Sequence, residues 1–220
     1  YNSFATNAAD VVHGLTRSVA GRVEQRAGTN PEIVMPPVLV FKSTVDATVT
    51  TEAVVDNLLE HLKPDRHELV LFDINRYAAS YRLLIDDPAP LTDRVMDDDK
   101  LPFTVTLVTN ESPDTRSVIS QYKDPFSADA THTSKMELSW PPGVISLSHV
   151  ALPIAPDDPI YGVGRPDASS WGVTLGSLEP RGERDLLVVP IDLFTRLRHN
   201  PFFSYMERRV RELPLEGSEF

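Results

Sequence analysis

The sequence predicts an α/β fold, a mostly parallel sheet flanked by helices, on three observations. Residues 38–41 of "PPVLVFKSTVDATVT" form a continuous apolar run, the pattern of a strand buried on both faces. "TTEAVVDNLLEHLKP" follows at once with helical periodicity. "HELVLFDIN" then supplies a second apolar run over residues 67–74. Strand, helix and strand in that order make a crossover unit. Such units are right-handed and build parallel sheets with helices on the faces.

Each element has its own local reasons. Residues 4–27 read as a helix because Val11, Val12, Leu15, Val19 and Val23 recur at helical spacing, with Gly28 and Pro31 to end it. In the crossover helix Val54, Val55, Leu58, Leu59 and Leu62 form the apolar stripe. Thr50 or Thr51 caps it and Pro64 closes it. Residues 75–140 read as an irregular insertion, rich in Asp and Pro, with one short helix and one strand, "FTVTLVTNES". Within it, "DTRSVISQYKDPF" reads as helical and "ADATHTSKMELSWPPG" as loop or edge. "VISLSHVALPI" reads as a buried strand. The tail offers a short strand and an amphipathic helix from about Pro201. The whole, 1–220, is expected to form one domain. Residues 217–220, "GSEF", have the composition of a cloning remnant and are set aside.

Composition narrows the function. Hydrophobic residues make up 41% and charged residues 24%, which suits a globular core. The formal net charge is −11, and "MERRVRE" is too short and too interleaved with glutamates to be a basic face, so no nucleic-acid partner is expected. No apolar run approaches the ~18 residues of a membrane span, and a cytoplasmic location is the expectation. With no cysteine, disulfides, thiolate nucleophiles and zinc–sulfur sites are excluded. There is no P-loop, no G-x-G-x-x-G and no H-E-x-x-H, so neither a cofactor nor a metal is expected. The acidic run "DDPAPLTDRVMDDDK" lacks the EF-hand spacing and reads as a solvated loop.

Two residues stand out. Asp46 lies just past the C-terminal end of the first predicted strand, the edge where open parallel sheets build sites. Spacing alone leaves it either a turn residue or the acid of a catalytic triad. Of the six histidines, His149 alone follows a buried apolar run and leads into a Pro-braced acidic loop, "ALPIAPDDPIYG". It reads either as a satisfied structural histidine or as a general base. Trp140, Trp171 and the "NPFFSYMERR" aromatics Phe202, Phe203 and Tyr205 read as packing residues before pocket residues.

"PPVLVFKSTVDATVTTEAVVDNLLEHL…HELVLFDIN" resembles the acid-bearing region of bacterial α/β-hydrolases. "SLSHVALPIAPDDPIYG" resembles their histidine loop. "YNSFATNAADVVHGLTR", "RGERDLLVV" and "LRHNPFFSYMERRV" continue the likeness over nearly the whole chain. The resemblance implies a partial α/β-hydrolase fold and a serine hydrolase of esterase or lipase type. Asp46 would be the triad acid, His149 the general base, and a small-molecule ester the substrate. The nucleophile motif G-x-S-x-G and the glycine-rich oxyanion segment are absent from these 220 residues. In the family pattern both precede the acid, so the chain looks like the C-terminal part of such an enzyme. Three origins fit: a cleaved product whose N-terminal fragment is a separate chain, a truncated gene product, or a chain using another serine. For the last, the candidates are Ser43, Ser146 and Ser148. The alternative is a non-catalytic half, needing a partner chain or a homo-oligomer to complete its sheet.

Overall fold

The computed structural model describes residues 6–29, 35–81, 84, 85, 87–163, 181–183, 186 and 195–213. In chain order the elements are α1 (Thr6–Thr29), β1 (Leu39–Ser43), α2 (Thr51–Asn57), a 3₁₀ turn (Leu59–His61) and β2 (Glu68–Phe72). Then come α3 (Ala78–Tyr81), α4 (Ala89–Asp97), β3 (Thr104–Asn110), β4 (Ser117–Lys123), β5 (His132–Ser139), β6 (Arg181–Gly182), β7 (Thr195–Arg196) and α5 (Phe203–Glu212).

The main sheet runs β1-β2-β3-β4-β5. β1, β2 and β3 are parallel, with Leu39 opposite Glu68 and Glu68 opposite Thr104. β4 and β5 are antiparallel to their neighbours. The sheet is therefore mixed, which corrects the expectation of a mostly parallel one. The cause is the length of the connections. The links on either side of β4 are too short for a crossover, so the chain can only turn back. Strands β3, β4 and β5, with helices α3 and α4, occupy the region that the composition presents as an irregular insertion. "SVIS", read as part of a helix, is instead the start of β4. Its β-branched pair, Val118 and Ile119, is buried in the sheet.

All five residues of β2 are buried. Its side chains alternate between two cores. On one face Leu69 and Leu71 pack with Val55, Leu59 and Leu62 from the crossover helix and its 3₁₀ end, and with Val95, Met96 and Leu101 from the α4 region. On the other, Val70 and Phe72 pack with Trp140, Leu147, Leu197, Phe202 and Tyr205. Phe202 stacks on Phe72 at 6.1 Å and meets Trp140 edge-on at 4.9 Å, so the C-terminal aromatics are packing residues. Thr50 is the N-cap of α2, its hydroxyl accepting from the Ala53 N–H at 3.2 Å. The buried ammonium of Lys123 donates to the Asp98 carbonyl at 2.5 Å and lies in the field of Asp97, Asp98 and Asp99. This gives the acidic run a compensating cation from the protein itself.

Two expectations change here. The N-terminal helix forms, but Val11, Val12, Leu15 and Val19 are at least half exposed, and Val23 alone of the stripe packs on the core. The stretch before His149 is buried but is not a strand. Only Val144 forms a bridge, and residues 145–148 pair with no strand. Gly143 turns the chain into this stretch with φ 72°, a conformation that favours glycine. Trp171 and the tail strand, apart from Leu186, lie outside the described residues.

At the base of the sheet, His67 accepts the Val38 N–H through Nδ1 at 3.1 Å. Burial pushes its imidazole below the ordinary 6.5, against the opposing pull of Asp65 and the Lys63 backbone. The unfolded chain therefore binds this proton at a higher pH than the folded chain. Stability from His67 is full above 6.5 and is lost as pH falls through 6.5 toward the lower folded value. Urea unfolding between about pH 8 and about pH 5 is expected to show this loss, and His67→Gln to remove that part of the pH dependence.

Candidate functional site

The site lies at the C-terminal end of β1. Ser43 closes the strand and the chain turns, with the Asp46 N–H donating to the Ser43 carbonyl at 3.2 Å. Asp46 is buried. Its Oδ1 accepts the N–H of Thr48 at 2.8 Å and of Val49 at 3.2 Å, while its Oδ2 lies 2.9 Å from the Lys42 Nζ. The turn-residue reading of Asp46 is therefore realised in its backbone contacts. Burial pushes this carboxyl up, but the Lys42 ammonium and the two backbone N–H groups outweigh it and hold it below the ordinary carboxylate value. Lys42 feels the converse. Burial lowers its ammonium, only partly offset by Asp46, Glu183 and Glu52.

His149 starts the turn after the buried stretch 144–148. Beyond the bridge at Val144 that stretch has no ladder to satisfy its backbone, so groups from other elements do so instead. Asn75, just beyond β2, donates its backbone N–H to the Ile145 carbonyl at 2.7 Å and its side-chain amide to the Val144 carbonyl at 2.8 Å. The Ser43 hydroxyl donates to the Leu147 carbonyl at 2.7 Å. After His149, the Asn200 backbone N–H donates to the Ile154 carbonyl at 2.7 Å and its side chain to the Leu152 carbonyl at 3.3 Å. The acidic loop beyond is shaped locally. Asp158 accepts the N–H groups of Ile160 and Tyr161, which lower its carboxyl. A Cβ on Gly162 would lie 2.3 Å from the Pro156 carbonyl oxygen, so only glycine closes this loop.

These contacts bring His149 and Asp46 side by side. Nδ1 of His149 is buried, makes no hydrogen bond, and lies 3.8 Å from Asp46 Oδ1. A second carboxylate, Glu183 Oε2, lies 3.7 Å from the same nitrogen. Glu183 follows β6, is 2% exposed, and its N–H donates to the Ser146 hydroxyl at 2.7 Å. The His149 side chain remains 30% exposed, so with Nδ1 turned inward its open part is the opposite side of the ring.

The three serines near the site are all fully buried and hold backbone. Ser43 donates to Leu147, Ser146 accepts from Glu183, and Ser148 donates to the Leu197 carbonyl at 3.0 Å. Their hydroxyls act here as structural ties. Among the described residues no three His, Asp or Glu side chains are arranged to hold a metal ion. The Lys42 ammonium supplies a cation to the cluster. Among the described residues no helix is long and apolar enough to cross a membrane.

Glu183, Lys42, Asn75 and Asn200 were not legible as site residues. Glu183 sits in "RGERDLLVV", which in the sequence only continues the family likeness, and the asparagines carry no spacing signal. Comparisons of the chain with models of protein families, with curated proteins and with solved structures return no match.

Breaking a buried ion pair from one side leaves an uncompensated charge, at a cost of about 3–5 kcal/mol. Lys42→Met is expected to lose about that much by urea unfolding, and Lys42→Met with Asp46→Asn to regain most of it.

Proposed function

We propose that the chain is a module of a serine hydrolase related to the α/β-hydrolases, acting on small carboxylic esters through Asp46 and His149. The observation that carries this reading is the posture of His149. Its Nδ1 is turned into a buried pocket of carboxylates at 3.7 and 3.8 Å, and its other side is open. A base of this kind holds a proton on the inner nitrogen and uses the outer one. It takes the proton of a serine hydroxyl as the hydroxyl attacks the ester carbonyl, then returns it to the departing alcohol. The carboxylates fix the tautomer and stabilise the imidazolium between these steps. The position past the C-terminal end of a parallel strand supports the same reading. On this reading the serine is supplied by another segment, since G-x-S-x-G is absent from these 220 residues and the three candidates Ser43, Ser146 and Ser148 are buried and tied to backbone.

A fluorophosphonate tests this. In the native polypeptide that includes these residues, one serine is expected to label, and His149→Ala to slow labelling at least ~100-fold without changing the melting temperature. The 220 residues alone are expected not to label. Labelling that survives His149→Ala overturns the reading.

A second reading, a half-sheet that functions only with a partner, is favoured by two surfaces. Among the described residues nothing pairs with the outer edge of β1. The Val11, Val12, Leu15 and Val19 stripe of α1 is uncovered. On this reading the isolated chain self-associates in size-exclusion chromatography with light scattering. A monomer that stays monomeric at tens of micromolar removes it.

A further inference from the structure

We infer that the groove between β5 and α5 binds a small organic carboxylate with an apolar body, its acid group held by Arg208 and its body laid along Met136 and Leu138. No residue of the His149 cluster lines this groove, so the inference stands apart from the hydrolase reading.

The groove encloses about 390 Å³, a volume that suits a small molecule. Its walls follow from two elements. Side chains of a strand alternate between faces, and along β5 Ser134, Met136 and Leu138 are half-buried while Lys135 and Glu137 are exposed. Met136 and Leu138 pack on the core that also holds Tyr205 of α5, so this set faces the helix. Tyr205 and Arg208, one turn apart on α5, form the other wall. Lys135 and Glu137 also border the groove, but alternation turns their side chains to the opposite face, and Lys135 is paired with Glu111. Among the described residues, the charge that the groove presents inward is therefore the Arg208 guanidinium.

That guanidinium is placed and unspent. Its central carbon lies 5.7 Å from the centroid of the Tyr205 ring. Tyr205 is itself buried, with its ring edge-on to Phe72 at 6.5 Å, so a fixed aromatic face holds the cation. The nearest carboxylate, Glu212, stands 3.8 Å from Nε, beyond hydrogen-bond reach. The planar fork of donors thus holds no hydrogen bond among the described residues, and it matches a carboxylate in two parallel bonds. The Ser120 and Ser204 hydroxyls, on either side of the groove, are likewise without a hydrogen bond among the described residues. Ser134 is engaged, its hydroxyl 2.6 Å from Nε2 of His132. One guanidinium balances a monoanion. Inorganic phosphate would leave a second charge uncompensated and the apolar floor unused. A carboxylate with an aliphatic chain uses both the fork and the floor.

The test is amide nuclear magnetic resonance of the 220-residue chain titrated with octanoate at fixed ionic strength. Saturable shifts are expected at millimolar octanoate, centred on β5 and α5. Arg208→Gln is expected to weaken binding roughly tenfold, and octanol, the same chain without the charge, to bind weaker than octanoate by about the same factor. Acetate, the charge without the chain, is expected to give no saturable shift. Ser204→Trp, at an exposed position on the groove wall, is expected to abolish binding by filling the space, with the melting temperature unchanged. Shifts that fail to saturate, that centre elsewhere, or that are as strong in Arg208→Gln overturn the inference. Equal affinity for octanol overturns it too, by making the groove an apolar one only. Should Arg208→Gln not fold, Ser204→Trp decides: loss of octanoate binding supports the site, and unchanged binding overturns it.

Discussion

Leu69 and Leu71 of β2 point into one core and Val70 and Phe72 into the other, and all five residues of the strand are buried. A strand clad on both faces cannot slip by one residue without exchanging both sets of side chains. Its register with β1 and β3 is therefore fixed, and so are the ends of those strands. The turn with Asp46 leaves one end, and Asn75 emerges beside it to hold the carbonyls of Val144 and Ile145. The distance between Asp46 and His149 is set by this chain of constraints, from apolar alternation to strand register to a buried amide.

The cluster at His149 is unusual in its cost. Four ionisable side chains share a site in which Lys42, Asp46 and Glu183 are nearly inaccessible. Such groups are stabilised only where partners replace the water they have lost, and a well-packed apolar cluster would often serve stability as well. Backbone N–H groups meet part of the requirement at Asp46, and Lys42 meets another part.

The sequence made some of this legible and hid the rest for physical reasons. β1, α2, β2 and α5 were readable because their periodicity is local and their caps, such as Thr50, lie within a few residues. β4 was misread because its antiparallel pairing is set by short turns, not by its own pattern. The stretch before His149 looked like a strand because it is apolar and β-branched. Its backbone is instead satisfied by Ser43 and Asn75, distant residues whose types give no hint of the task. Asp46 and His149 stand out in the sequence through position and resemblance, and the fold brings them within 3.8 Å of each other. Glu183 does not stand out, because a buried glutamate between arginines cannot be told from an exposed one without the fold.

The two margins of the sheet differ in chemistry. Along β5 the side chains alternate between exposed and half-covered, with Lys135 and Glu137 among those in solvent. Charges on a border strand repel further strands, a common defence against amyloid-like stacking. β1 has no such guard, since Leu39, Val40 and Phe41 are apolar and its one lysine is turned inward to Asp46. Among the described residues, growth of the sheet is thus closed on one side and open on the other. The molecule has a polarity, and any strand that joins it is directed to the border nearest His149.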